Sequence, residues 1–246
     1  MGETGVPVFV ALDVPDAVAA RRVVEQLGDA GTHYKVGLEL YLATGAGFVR
    51  ELVEAGKHVF LDLKFHDIPN TVKAAVRQAA QTGAEFLTVH ALGGATMLTV
   101  AQAAAQEAAQ TANARREAVK LLAVTILTSH AASDLEAIGL ASTDASAGVL
   151  RLAQLAADAG LHGVVCSPRE VQSVRTATGL AAMVPGIRPR TATADDQRRV
   201  ATPAEAVRAG ASYLVVGRPV LRAQEPRKAL LAIQEEVSGA LAHKGE

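Results

Sequence analysis

HVFLDLKFHDIPNTVKAAVRQAAQTG, residues 58–83, carries two periodicities joined at a proline. The first eight residues alternate as a strand does, with successive side chains on opposite faces. Val59, Leu61, Leu63 and Phe65 fall on one face, and Phe60, Asp62 and Lys64 on the other. From Thr71 the apolar positions become 72, 75, 76, 79 and 80, a single helical stripe that Gly83 stops. A strand that feeds a helix is the repeating element of a parallel α/β fold.

The unit recurs along the chain. Short apolar runs rich in β-branched residues appear at 6–14, 33–40, 58–65, 85–91, 120–128, 162–167, 181–188 and 212–218, with helical patterns between them. Eight strand–helix repeats predict an α/β protein of the TIM type, a closed parallel (β/α)8 barrel, with residues 1–246 as one domain. An open doubly wound sheet is the alternative, because strand number alone does not establish closure. Ser167-Pro168-Arg169-Glu170 and Thr202-Pro203-Ala204-Glu205 each read as a helix start, with a cap hydroxyl, an early proline and a Glu three residues on. Residues 101–119, rich in Ala and Gln, are expected to form a surface helix and its exit. Two connections are long, 129–145 after the fifth strand and 186–201 after the seventh. In a barrel both emerge at the C-terminal face, where active sites are built.

Composition narrows the function. Half of the residues are hydrophobic and mean hydropathy is +0.21, enough for a large core. Aromatic residues are only 3% and Trp is absent, so the core is expected from Ala, Val and Leu, with few rings on which bases could stack. A net charge of −1 gives no polyanion-binding surface, which argues against nucleic acid as a partner. The single cysteine, Cys166, sits in GVVCSP and reads as a small buried apolar residue; no intrachain disulfide can form. The N-terminal MGETGVPVFVALD has no basic segment followed by an apolar one. No run approaches the ~18–20 apolar residues a membrane span needs. The expectation is a cytoplasmic protein with no membrane partner.

Asp62 and Lys64 break the apolar pattern. Helices cover the outside of a parallel barrel, so these two must point inward at the strand end, with Asp67 in the loop just beyond. Asp13 closes the first strand and Lys35 lies in the second. Burying an unpaired carboxylate or ammonium costs several kcal/mol, and even a buried pair often only breaks even against an apolar replacement. A structural ion-pair network could account for any one of these residues. Five at one rim call for a functional reason. Carboxylates beside a lysine keep it a proton donor. A carboxylate set where an anionic substrate group must sit repels that group, and the repulsion vanishes if the group departs as neutral CO2. The lysine then faces the carbanion left behind, an interaction that strengthens as charge moves.

These residues resemble a known family. DLKFHDIPNT at 62–71 is similar to the signature of orotidine 5'-phosphate decarboxylase. The likeness continues through ALD at 11–13, KVGLEL at 35–40, VHALGG at 89–94, AVTILTS at 123–129, GVVCS at 163–167, VPGIR at 184–188, DDQRRVATP at 195–203 and VVGRP at 215–219. The resemblance implies a barrel that converts orotidine 5'-monophosphate to UMP and CO2 in the last step of de novo pyrimidine synthesis, with no metal and no organic cofactor. Lys64 would protonate C6 of the pyrimidine, and Asp62 would lie near the departing carboxylate. Lys35 and Asp13 would contact the ribose hydroxyls, Lys35 also steadying Asp62. Asp67, Ile68 and Thr71 would reach into the neighbouring subunit's site, which implies a homodimer. Thr128 and Ser129 match the contact to the pyrimidine edge, and Arg188, Gln197, Gly217 and Arg218 match the phosphate grip. The 186–201 loop, with Arg188, Arg190, Arg198 and Arg199, is expected to fold over the phosphate. His66 and His90 are read as structural.

Two other functions compete. 3-Keto-L-gulonate 6-phosphate decarboxylase shares the Asp-x-Lys-x-x-Asp spacing but uses Mg2+, held in part by a Glu near the end of the second strand, where this chain has Lys35. A non-catalytic barrel binding a phosphorylated ligand would account for Arg188 and Arg218 but not for the Asp–Lys–Asp array.

Overall fold

The computed structural model describes residues 5–111, 117–137, 139, 145–189 and 200–242. Its eight strands are β1 (Val8–Ala11), β2 (His33–Gly37), β3 (His58–Phe65), β4 (Phe86–His90), β5 (Lys120–Val124), β6 (Gly163–Val165), β7 (Ala181–Val184) and β8 (Tyr213–Val216). They pair in parallel in sequence order, and β8 closes on β1 with Val8 opposite Leu214 and Val10 opposite Val216. Closure removes the open-sheet alternative.

A helical segment follows each strand. In order these are α1 (Ala17–Leu27), α2 (Leu38–Glu54), α3 (Pro69–Ala80), α4 (Gly94–Thr111), α5 (Ala132–Ala137), α6 (Ala145–Asp158), α7 (Val171–Thr178), α8 (Pro203–Ala209), α9 (Arg218–Leu221) and α10 (Pro226–Ala242). Outward strand residues such as Val36, Leu61, Leu87 and Val164 pack with helix residues such as Val72, Val76, Leu98 and Ala153. This layer is built from Val, Leu and Ala, as composition predicts.

The barrel interior is different. Phe9, Phe60 and Phe86 are three of the chain's five phenylalanines, and they fill the interior with Leu122, Met183 and Val215. Their rings meet edge to face at centroid separations of 5.7–6.4 Å, the geometry that aromatic quadrupoles favour. An eight-stranded interior is just wide enough to need filling by side chains, so the few aromatics are spent there. Below them, Glu85 bonds His58 at 2.8 Å and Lys120 at 3.1 Å. The bottom mouth is therefore lined by charges that pair with one another.

Local signals place several ends. Thr202 and Glu205 form a reciprocal capping box at α8. The matching signal at Ser167 does not: α7 begins at Val171, and the Ser167 hydroxyl donates to the Glu170 carboxylate instead of accepting from a helix N–H. Both side chains are almost fully buried, so each satisfies the other away from water. Leu38–Leu40, expected in the second strand, form the first turn of α2. β5 ends at Val124, four residues before Thr128. The expected surface helix is α4, although Ala101, Ala104 and Ala105 are buried on its inner face.

Candidate active site

The C-terminal end of the barrel opens into a cavity of about 230 Å3. Asp13, Lys35, Asp62, Lys64, Thr128, Arg188, Gly217 and Arg218 line it, with an apolar wall from Ile126, Leu127, Val165 and Pro185. Residues from seven strand ends and the loops beyond them, all but those of β4, thus converge on one space.

Four charged groups form a chain. Asp13 Oδ1 accepts from Lys35 Nζ at 2.9 Å. Lys35 Nζ lies 3.9 Å from Asp62 Oδ2, and Lys64 Nζ donates to that same oxygen at 2.8 Å. Asp62 is the better shielded carboxylate of the array, with its side chain 13% exposed against 58% for Asp13. Its neighbours are two ammonium groups. Like charges face each other only across an opposite one, so the array holds together without substrate and presents alternating charge to whatever enters.

The backbone beneath the array departs from a regular strand. Leu61 pairs with Leu87 and Phe65 with Val89, so four steps along β3 match two along β4. Lys64 sits within this bulge at φ 51°, and it alone among the described non-glycine residues has a positive φ. Bulges near active sites re-aim side chains, and a long side chain in this region stores of order 1–3 kcal/mol of backbone strain. The surrounding contacts must therefore hold Lys64 in place.

The other expected site residues fall into two groups. Arg188 and Arg218 stand on the rim at the exits of β7 and β8, and Gly217 precedes α9. The described ends of the long connection run side by side: Arg188 N–H donates to Ala201 O at 2.9 Å, and Ala201 N–H donates to Gly186 O at 3.4 Å. Gln197, Arg190, Arg198 and Arg199 lie outside the described residues, as does the folding of that loop over a phosphate. Asp67, Ile68, Thr71 and Ser129 are exposed and do not line the cavity of their own chain. Asp67 Oδ1 accepts from the Ile68 N–H at 2.6 Å, which fixes the turn leading into α3.

Beside the apolar wall, two residues that support the charged array escaped sequence reasoning. A side chain at Gly37 would place its Cβ 3.0 Å from Lys35 Nζ, so glycine leaves room for the ammonium group. Thr88 on β4 is fully buried and bonds both Asp62 and the Lys64 backbone. Its inward position in the alternation Phe86, Thr88, His90 was the available signal.

Cys166 is buried, and desolvation pushes its thiol up to about 12, so it remains an unreactive thiol. His66 and His90 stack at 5.2 Å. Burial, followed by the positive fields of His66, Lys64 and His130, brings His90 down to about 4. An unfolded histidine titrates near ~6.5. Between these values the unfolded chain binds the extra proton, so His90 withdraws stability as pH falls from about 6.5 to about 4. Urea midpoints measured across that window should fall more steeply for wild type than for His90→Gln. Equal slopes would show that His90 contributes nothing to acid sensitivity.

A family model described as "Orotidine 5'-phosphate decarboxylase / HUMPS family" matches residues 7–233. The chain is 49% identical over 232 residues to the orotidine 5'-phosphate decarboxylase of Alkalilimnicola ehrlichii, covering 94% of this chain and 95% of the relative. It is 47% identical over 232 residues to the enzyme of the same name from Moorella thermoacetica, covering 94% and 91%. The crystal structure of orotidine 5'-phosphate decarboxylase from Lactobacillus acidophilus superposes with a TM-score of 0.82 at 38% identity, covering 94% and 98%.

Proposed function

Because this chain belongs to the orotidine 5'-phosphate decarboxylase / HUMPS family, we propose that its charged array carries out the decarboxylation for which its orotidine 5'-phosphate decarboxylase relatives are named. The substrate is orotidine 5'-monophosphate, the products are UMP and CO2, and the step belongs to pyrimidine biosynthesis. The observation that carries this reading is the shared Asp62 Oδ2, 2.8 Å from Lys64 Nζ and 3.9 Å from Lys35 Nζ, at the wall of the barrel-mouth cavity.

The chemistry follows from charge. Arg218, Arg188 and the backbone at Gly217 take the phosphate; a guanidinium can meet phosphate oxygens in a fork. The pyrimidine lies against Ile126, Leu127, Val165 and Pro185, with Thr128 at its edge and Ser129 just beyond. Lys35 and Asp13 hold the ribose. This seating pushes the substrate carboxylate toward Asp62. The bond from C6 to the carboxylate carbon breaks, its electron pair stays on C6, and CO2 leaves uncharged. An N–H of Lys64 then delivers its proton to C6, and the amine regains one from solvent. Remote binding energy at the phosphate offsets the crowding of two carboxylates, which is the economical use of binding energy. Gln197 and the arginines of the 190–199 segment are assigned to the same phosphate by sequence alone.

The Mg2+-dependent reading is less well supported. The nearest charged neighbours of Asp62 are two ammonium groups, poor company for a divalent cation, which is held by oxygen ligands. A phosphate-binding barrel without catalysis leaves the array without a purpose. Loss of orotate absorbance, followed with EDTA present, tests all three readings. Wild type should consume orotidine monophosphate undiminished by EDTA and should react far more slowly with phosphate-free orotidine. Inhibition by EDTA would favour the Mg2+ enzyme, and no turnover would favour the binding barrel.

The reading includes a homodimer. Leu38, Leu42, Ile68 and Leu92 are exposed large apolar residues. All follow the ends of three adjacent strands, β2, β3 and β4. Asp67 and Thr71 stand in the same sector. Apolar residues gathered beside a polar rim are the composition of a subunit contact. Among the described residues no helix is long and apolar enough to cross a membrane.

A further inference from the structure

Thr88 has one hydroxyl and two partners. Its Oγ1 accepts the Lys64 backbone N–H at 2.9 Å and lies 3.0 Å from Asp62 Oδ1. A hydroxyl has a single hydrogen. Since the Lys64 N–H is already a donor, that hydrogen must point to the Asp62 carboxylate. The side chain is 0% exposed, so no water competes for either bond.

Each partner needs what Thr88 supplies. The bulge between Leu61 and Phe65 breaks the ladder to β4, and a buried N–H without a partner is expensive. Thr88 receives that N–H at the one described non-glycine residue with positive φ. Asp62 has two oxygens. Lys64 Nζ holds Oδ2, and Thr88 holds Oδ1. With both oxygens fixed the carboxylate plane cannot rotate. A singly held carboxylate would turn away from an approaching substrate carboxylate, and the repulsion that speeds its departure would relax.

We propose that Thr88 is a positioning residue for decarboxylation: its hydroxyl ties the Asp62 carboxylate to the left-handed backbone of Lys64, so that both reacting-side charges are set by one buried oxygen. This rests on the roles proposed above for Asp62 and Lys64. Thr88 touches no substrate and acts through those two residues.

The test uses Thr88→Val, which keeps the β-branched shape and removes the hydroxyl, beside Thr88→Ser, which keeps the hydroxyl. Loss of a hydrogen bond to a charged group predicts that Thr88→Val lowers kcat for orotidine monophosphate about 10- to 100-fold. KM should stay within about threefold, because relief of ground-state crowding does not weaken binding. Affinity for UMP, which lacks the carboxylate, should be unchanged. Thr88→Ser should restore kcat to within about threefold of wild type. Thermal midpoints of both variants separate this from a structural role, which would lower stability and leave the kcat of the folded fraction intact. If Thr88→Val does not fold, Thr88→Ala against Thr88→Ser makes the same comparison. Wild-type kcat without the hydroxyl, or a serine variant as impaired as valine, would overturn the proposal. Lys64→Ala assayed in parallel separates the two levels: if it stays active the array reading fails, whereas if it is inactive and Thr88→Val is not impaired, only the role of Thr88 fails.

Discussion

Lys64→Ala is expected to lower kcat/KM for orotidine monophosphate by at least ~10^4-fold. Positioned proton transfer contributes about 10^2- to 10^4-fold, and removing one preorganised charge from a site of this kind costs about 10^2- to 10^3-fold more. The substitution does both. It removes the donor proposed for C6, and it leaves Asp62 Oδ2 with only Lys35, 3.9 Å away. Lys64→Arg should fare little better. Its charge survives, but a planar fork does not reproduce a compact ammonium group 2.8 Å from Asp62 Oδ2. UMP affinity should change far less than turnover, since the product carries no group that Lys64 must protonate. Steady-state loss of orotate absorbance and UMP titration measure the two quantities. A Lys64→Ala enzyme within tenfold of wild type would remove the lysine from the chemistry.

What was legible in the sequence is what folding alone would not select. Asp62 and Lys64 stand out because burial of charge is costly and every other residue of β3 after His58 is apolar. The eight-fold repeat was legible because the strand and helix periods differ so sharply. Closure was not, since it depends on β8 meeting β1 across more than 200 residues of chain. Ile126, Leu127 and Val165 were invisible as site residues because the same side chains fill any strand or core. Thr88 was hidden by its chemistry: threonine suits a strand by its β-branch, and only the bulge opposite gives its hydroxyl two partners. Nothing in the composition of LDLKF marks the left-handed turn at Lys64. The Ser167 signal misled because burial lets a capping pair satisfy itself and leave the helix to start later.

Asp67 sets the second large expectation. By resemblance to the family signature it belongs to the alternating array, yet it is exposed, bonded to its own Ile68 N–H, and absent from the lining of its own chain's cavity. If it completes a partner's array, Lys64 and Asp67 of one chain serve different sites. Lys64→Ala and Asp67→Ala should then each be inactive alone, Asp67→Ala falling by about 10^2- to 10^3-fold as expected for loss of one preorganised charge. Co-expressed, they form mixed dimers in which one site has both mutations and the other has neither. With random pairing half of the dimers are mixed and half of their sites are intact, so activity should return to roughly a quarter of wild type per mole of chain, a gain of the size set by restoring that charge. No rearrangement within a single chain can give this result, because each chain still lacks one of the two groups. Recovery no greater than the sum of the separate variants would return Asp67 to the role its bond to the Ile68 N–H gives it, holding the turn into α3, and would leave the array complete at Asp13, Lys35, Asp62 and Lys64.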